Sequence, residues 1–213
     1  MTRRDKRQVA QHFSRAAQSY DHAASIQQRA VTALLNQLGI EHQIYPVDID
    51  ESAKPEETPE AQVARLAYEK ASTALARLAS SQTLTQSTVV LASDTLIAFA
   101  GKSVGKPKNL EDSRRILSML SGQQHSVLTA ICVANESRQV TQTITTKVTF
   151  GALTNAQIDA YWETGEPADK AGSYAIQGIG GQFVIAIEGS ASAVVGLPLY
   201  ETKQLLSEFG VVE

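Results

Sequence analysis

The chain has 213 residues, 43% apolar and 19% charged, enough to bury a core in one large domain or two small lobes. Its net charge of -3 excludes a global basic field for a nucleic-acid polymer. Its one cysteine, Cys132, excludes an internal disulfide and a Cys-rich zinc site. No apolar run approaches the roughly 20 residues of a membrane helix, and no hydrophobic signal core opens the chain, so a cytoplasmic protein without a membrane partner is expected.

Residues 2–38 read as helix, with Val9, Phe13, Ala16 or Ala17 and Tyr20, then Val31, Leu34, Leu35 and Leu38, at spacings of three and four. Arg3, Arg4, Lys6, Arg7 and Arg15 make this start basic, which suits a solvated helix face. Gly39 ends the helix. His42 to Val47 reads as a strand, followed by the acidic loop Asp48-Ile49-Asp50-Glu51 and a polar, proline-bearing stretch from Lys54. Thr58 caps the next helix, with Pro59 at its first position and Val63, Leu66, Ala67 and Lys70 along it. Val89 to Ala92 is an apolar run suited to a buried strand, and Asp94 and Thr95 are expected where that run meets solvent. A Gly101-Lys102 turn then brings back Lys106, just before Pro107.

Asn109 caps a helix that Ser121-Gly122 ends. His125 to Ala134 reads as a central strand, with Cys132 a buried structural thiol, and Val140 to Phe150 as another. Thr154 caps a helix broken at Gly165-Glu166-Pro167. Tyr174 to Ile176 and Phe183 to Ile187 are strand candidates around Gly178, Gly180 and Gly181, and Leu197-Pro198-Leu199 opens a last helix. Interleaved strands and helices set the class as α/β.

The acids at issue are Glu51, Asp94 and Asp169, and the bases are Lys70, Lys106 and Lys170. Carboxylates to hold a divalent cation, with lysines to meet phosphate oxygens, are what a metal-dependent phosphoanhydride enzyme needs. Surface ion pairs and a hairpin with a capping Asp94 give the same list. His125, at the start of its strand, is either a satisfied structural histidine or a ligand or base. Gln177 has an amide able to read a base edge by two hydrogen bonds, or to satisfy a backbone group at a strand edge. The Gly178-Ile179-Gly180-Gly181 turn lacks the dinucleotide-binding spacing, and there is no P-loop, nucleophile elbow or zinc-protease motif.

Over roughly residues 34–210 the chain resembles the Maf family of nucleotide pyrophosphatases. The segments that carry the likeness include Leu38-Gly39-Ile40, Asp50-Glu51, Arg65-Leu66-Ala67 with Glu69-Lys70-Ala71, Ser93-Asp94-Thr95 and Gly105-Lys106-Pro107. Others are Leu120-Ser121-Gly122 with His125, Asp169 to Gly178, and Val195-Gly196-Leu197-Pro198-Leu199. The resemblance implies a two-lobed α/β fold with an elongated mixed sheet and a central cleft, occupying residues 39–213 behind a helical segment at 1–38. It implies hydrolysis of a nucleoside triphosphate to the monophosphate and pyrophosphate with a divalent metal, magnesium or manganese, by a homodimer. Asp94 matches the proton acceptor for the attacking water. Glu51, Lys70 and Lys106 line the same cleft, with Glu51 and Asp94 the metal ligands. Thr95 and Gln177 match positions tied to base choice, with Asp169 and Lys170 beside them at the substrate. Asp94-Thr95 and Tyr174-Ala175-Ile176-Gln177-Gly178 look like the branch that acts on dTTP and UTP.

Two departures stand out. The family opens on a strand running into Ser-x-Ser-Pro-Arg-Arg, but those last four positions fall here on Gln28, Arg29, Ala30 and Val31, so neither family arginine is present. Lys6 to Leu38 instead resembles the opening helices of the malonyl-carrier-protein methyltransferase of biotin synthesis, without the glycine-rich loop that would bind S-adenosylmethionine. The family's Gly-Ser-Tyr is Gly189-Ser190-Ala191. Two readings follow: an active dTTP/UTP pyrophosphatase with the arginine role lost, weakened or supplied by Arg29 or Arg65, or a catalytically impaired nucleotide-binding or interaction protein on the same fold.

Overall fold

The structure is a computed structural model that describes residues 31–213. The expected helices over residues 2–30, their likeness to a methyltransferase and Arg29 lie outside the described residues. Residues 31–37 (α1) are helical. There follow α2 (Pro59–Ser80), β1 (Val90–Phe99), β2 (Lys102–Val104), α3 (Leu110–Leu120), β3 (Gln124–Ala134) and β4 (Gln139–Phe150). The chain closes with α4 (Asn155–Glu163), three short 3-10 turns, β5 (Val184–Glu188), α5 (Ala191–Val195) and α6 (Leu199–Glu208).

The capping residues start the helices as their chemistry dictates. Thr58, Asn109 and Thr154 each accept a backbone N–H of the first turn, and Thr154 forms a full capping box with Gln157. The strands form one sheet in the order β2-β1-β3-β4-β5. The α/β class therefore stands, but where the resemblance implied a mixed sheet, every pairing among the described residues is antiparallel. His42–Val47 is not a strand: it has no ladder partner among the described residues, and Ile44 and Tyr45 are exposed. Tyr174–Ile176 is likewise irregular. Asp94 and Thr95 lie inside β1 rather than at its end, because the strand runs on through Leu96 to Phe99 against β3.

Side chains alternate across the sheet with period two. One face carries Leu96, Ala98, Leu128, Ala130, Cys132 and Ala134 against Val63, Ala67 and Ala71 of α2. The small side chains on both sides bring helix and sheet backbones close. The opposite face holds two separate apolar clusters. In the first, Ile97, Val127, Val148 and Phe150 pack with Ile116, Leu117, Ile158, Tyr161, Tyr174 and Phe183. In the second, Ile131 and Val133 meet Leu34 and Leu35 of α1 and Leu197, Leu205 and Leu206 around α6.

Between these clusters runs a seam of hydroxyls that docks α5. Ser93 donates to the Gly196 carbonyl at 2.6 Å, Thr129 to that of Ala193 at 2.7 Å and Thr146 to that of Ser190 at 3.2 Å. α5, which Ser190 caps, is not among the helices that the sequence pattern predicts.

His125 is a core residue. Its ring meets Phe150 and Tyr174 edge-on, and Nε2 is 2.8 Å from the Tyr174 hydroxyl. Burial drives its pKa from 6.5 to about 4. The unfolded chain therefore takes up a proton near pH 6.5 that the folded chain refuses until near pH 4, so stability is full above that range and falls as pH drops through it. Urea unfolding at about pH 5 should show about 2 kcal/mol less stability than at pH 7 from this group. In His125→Phe this contribution to the pH slope should vanish.

Candidate active site

The close approach of α2 to β1 sets the central feature. Ala67, Ala71 and Ala74 line the buried face of the helix, and Lys70 reaches from it to β1. Lys70 Nζ lies 2.6 Å from Asp94 Oδ1 and 2.7 Å from Glu51 Oε1. Asp94 and Lys70 are mostly buried, with side chains 11% and 20% exposed, whereas Glu51 on its loop is 56% exposed. Burial lifts the Asp94 carboxyl above its ordinary pKa, and the nearby Glu51 adds to this, while Lys70 and Lys106 pull it only part of the way back. Burial works against the Lys70 ammonium too. The charges of Asp94 and Glu51 and the hydrogen bonds to them outweigh it, so its pKa rises and it stays protonated.

The other sequence candidates divide. Lys106 follows β2 on an exposed loop and pairs with Asp169 at 3.2 Å, and its charge also favours ionised Asp94. Lys170 is half-buried beside Asp169, and Gln177 is exposed on the irregular stretch after Tyr174. Thr95 points to the face opposite Asp94, where its Oγ1 lies 3.0 Å from that of Thr129. Arg65 is not available to replace a missing arginine. Its guanidinium is held by Glu57 at 2.6 and 2.8 Å, by Glu69 at 3.1 Å and by the Ser52 carbonyl at 3.0 Å.

Glu166 was read only as part of a helix break, yet it organises the loop that carries Gln177. Its carboxylate accepts the Tyr161 hydroxyl at 2.6 Å and the amides of Ile179 and Gly180, both at 2.9 Å. Tyr161 in turn accepts the Ala175 amide at 3.1 Å. The amides of Gly178 and Gly181 are taken by the carbonyls of Ala175 and Gly178. The glycine-rich turn is thus wrapped around an internal carboxylate. A Cβ on Gly178 would lie 2.1 Å from Glu166, and one on Gly180 2.5 Å from the Tyr161 hydroxyl and 3.0 Å from the Ala175 backbone. An acid twelve residues before a Gly-x-Gly-Gly turn, with a tyrosine on the preceding helix, is the signal in the sequence that could have revealed this clamp.

A metal reading meets a definite donor set. Among the described residues no group of three or more His, Cys, Asp or Glu gathers into a protein-only metal site. Glu51 and Asp94 supply two carboxylates brought together at Lys70. Magnesium bound with a phosphorylated substrate takes one or two protein carboxylates and completes its shell with phosphate oxygens and water, so these residues fit that mode. Among the described residues no helix is long and apolar enough to cross a membrane.

A family model described as Maf-like protein matches residues 27–209. The chain is 49% identical over 178 residues to a dTTP/UTP pyrophosphatase of Pseudoalteromonas atlantica, covering 84% of this chain and 91% of that protein. It is 52% identical over 179 residues to one from Colwellia psychrerythraea, covering 84% of each. For one from Vibrio parahaemolyticus the identity is 48% over 176 residues, covering 83% and 90%.

One test follows from the clamp. Gly180→Ala should lower stability by about 1–3 kcal/mol in urea unfolding, since the added methyl meets Tyr161 and fixed backbone. Gly105→Ala, with nothing within 4 Å of the new methyl, should not.

Proposed function

Because the chain belongs to the Maf family, we propose that it is a nucleoside triphosphate pyrophosphatase that cleaves dTTP and UTP to the monophosphate and pyrophosphate. The observation that carries the reading is the convergence of Glu51, Lys70 and Asp94, with the Lys106 charge close by. The names of the relatives support the two nucleotides.

In this reading Asp94 accepts the proton of the attacking water. Its raised pKa makes it a stronger base than an ordinary aspartate. Lys70 keeps the two acids together and offers positive charge to the phosphates. Lys106 exchanges its exposed Asp169 partner for a phosphate oxygen, a small loss because such surface pairs are worth about 0–1 kcal/mol. Positive charge placed where the leaving pyrophosphate gathers negative charge lowers the barrier. Glu51 and Asp94 would hold the divalent cation, magnesium or manganese, which neutralises phosphate charge and acidifies a bound water. Gln177 and Thr95 contact the base, with Asp169 and Lys170 at the substrate. The reading extends to a homodimer in the cytoplasm, with residues 39–213 as the catalytic domain and 1–38 as an added segment.

Purified protein should release pyrophosphate from dTTP and UTP with magnesium or manganese, and Asp94→Asn should reduce the rate by about a hundredfold or more. No release from any nucleotide by folded protein would overturn the reading. The pH dependence gives a second check. A base must be ionised to work, so kcat/KM falls as pH drops through its pKa, and the raised pKa of Asp94 starts that fall at a higher pH than an ordinary aspartate would. Lys70→Met removes the main group opposing that rise, so the acidic limb should move to still higher pH as well as losing rate.

A further inference from the structure

Thr129 is wholly buried in the middle of β3 and has one hydroxyl proton to give. It lies 2.7 Å from the Ala193 carbonyl, which can only accept, so the proton goes there. Thr95 Oγ1 sits 3.0 Å from the same oxygen. Thr129 has no second proton, so in this pair Thr95 donates. The Thr95 proton is therefore committed along the line from Thr95 through Thr129 to Ala193, so towards any further partner this hydroxyl can only accept. Thr95 itself is half-buried.

We propose that Thr129 is a positioning residue that makes Thr95 an obligate hydrogen-bond acceptor, and that this acceptor selects pyrimidines carrying a ring N–H. The inference rests on the functional reading above, in which Thr95 contacts the base. Uracil and thymine present an imide N–H at N3, where cytosine presents a bare nitrogen. An acceptor of fixed sense satisfies the first and faces the second lone pair to lone pair. Gln177 alone cannot make this distinction, because its exposed amide carries both a donor and an acceptor and turns to suit either base. A site built to accept a hydrogen bond rejects an analogue lacking the donor far more strongly than an apolar pocket rejects a change of one methyl group.

The test is kcat/KM for UTP and CTP with the full-length protein, its Thr129→Val and Thr129→Ala variants, and Thr129→Ser, with melting curves to establish folding. Removing the hydroxyl frees the Thr95 proton to point outward and meet cytosine N3. The UTP-to-CTP ratio should shrink by about tenfold or more in the valine and alanine variants, through a gain on CTP, and stay near the wild-type value in the serine variant. An unchanged ratio in a folded valine or alanine variant that still cleaves UTP overturns the role of Thr129 and leaves the pyrophosphatase reading intact. Failure of the wild type on every nucleotide overturns both. Should neither variant fold, inhibition of wild-type UTP cleavage by 3-methyl-UTP decides. Inhibition as strong as by a UTP analogue that keeps its N–H overturns the proposal, and inhibition weaker by about tenfold or more supports it.

Discussion

A single ammonium group ties this molecule together at its chemical centre. Lys70 bridges a helix, a loop and a strand by meeting Asp94 and Glu51 at once. Removing charges from water costs several kcal/mol each, and the cost is offset only when geometry is close and the partners are complete. The small residues of α2 and the facing strands make that geometry possible: Ala67 and Ala71 against Ala98 and Ala130 let the helix settle close enough for the lysine to reach. With leucines there the helix would ride higher, and Asp94 and Glu51 would lose the cation that holds them.

The rest of the site divides by rigidity. Asp94 and Thr95 are neighbours on one strand and look to opposite faces of the sheet, so a single backbone places an acid on one side and a hydroxyl on the other. Both are braced by central strands. Lys106 and Gln177 sit on loops, and the second of these is shaped by Glu166 and Tyr161 rather than by a ladder. The α5 turn is pinned to the sheet through three hydroxyls, and one of them, on Thr129, also meets Thr95.

Much of the fold was legible because local chemistry determined it. Thr58, Asn109 and Thr154 announced their helices by side chains that satisfy free amides, and the fully apolar end of β3 announced a strand covered on both faces. Elements whose existence depends on a distant partner were not legible. His42–Val47 has the pattern of a strand but no ladder beside it among the described residues, and β1 continues past Asp94 because β3 pairs with it there. In the site, residue types pointed to Glu51, Lys70 and Asp94. Nothing in the spacing showed that Arg65 is taken up by Glu57 and Glu69, or that Glu166 would fold back on the glycines.

The self-contained carboxylate of Glu166 also bears on what happens after bond cleavage. Runs of backbone amides at glycine-rich turns are natural traps for phosphate and pyrophosphate. Here all four amides from Gly178 to Gly181 already have internal acceptors, two of them on a side chain that carries its own negative charge. A departing polyanion finds no vacant donor among these four amides and meets repulsion instead, so this loop can be glycine-rich and closely packed without becoming a sink for product.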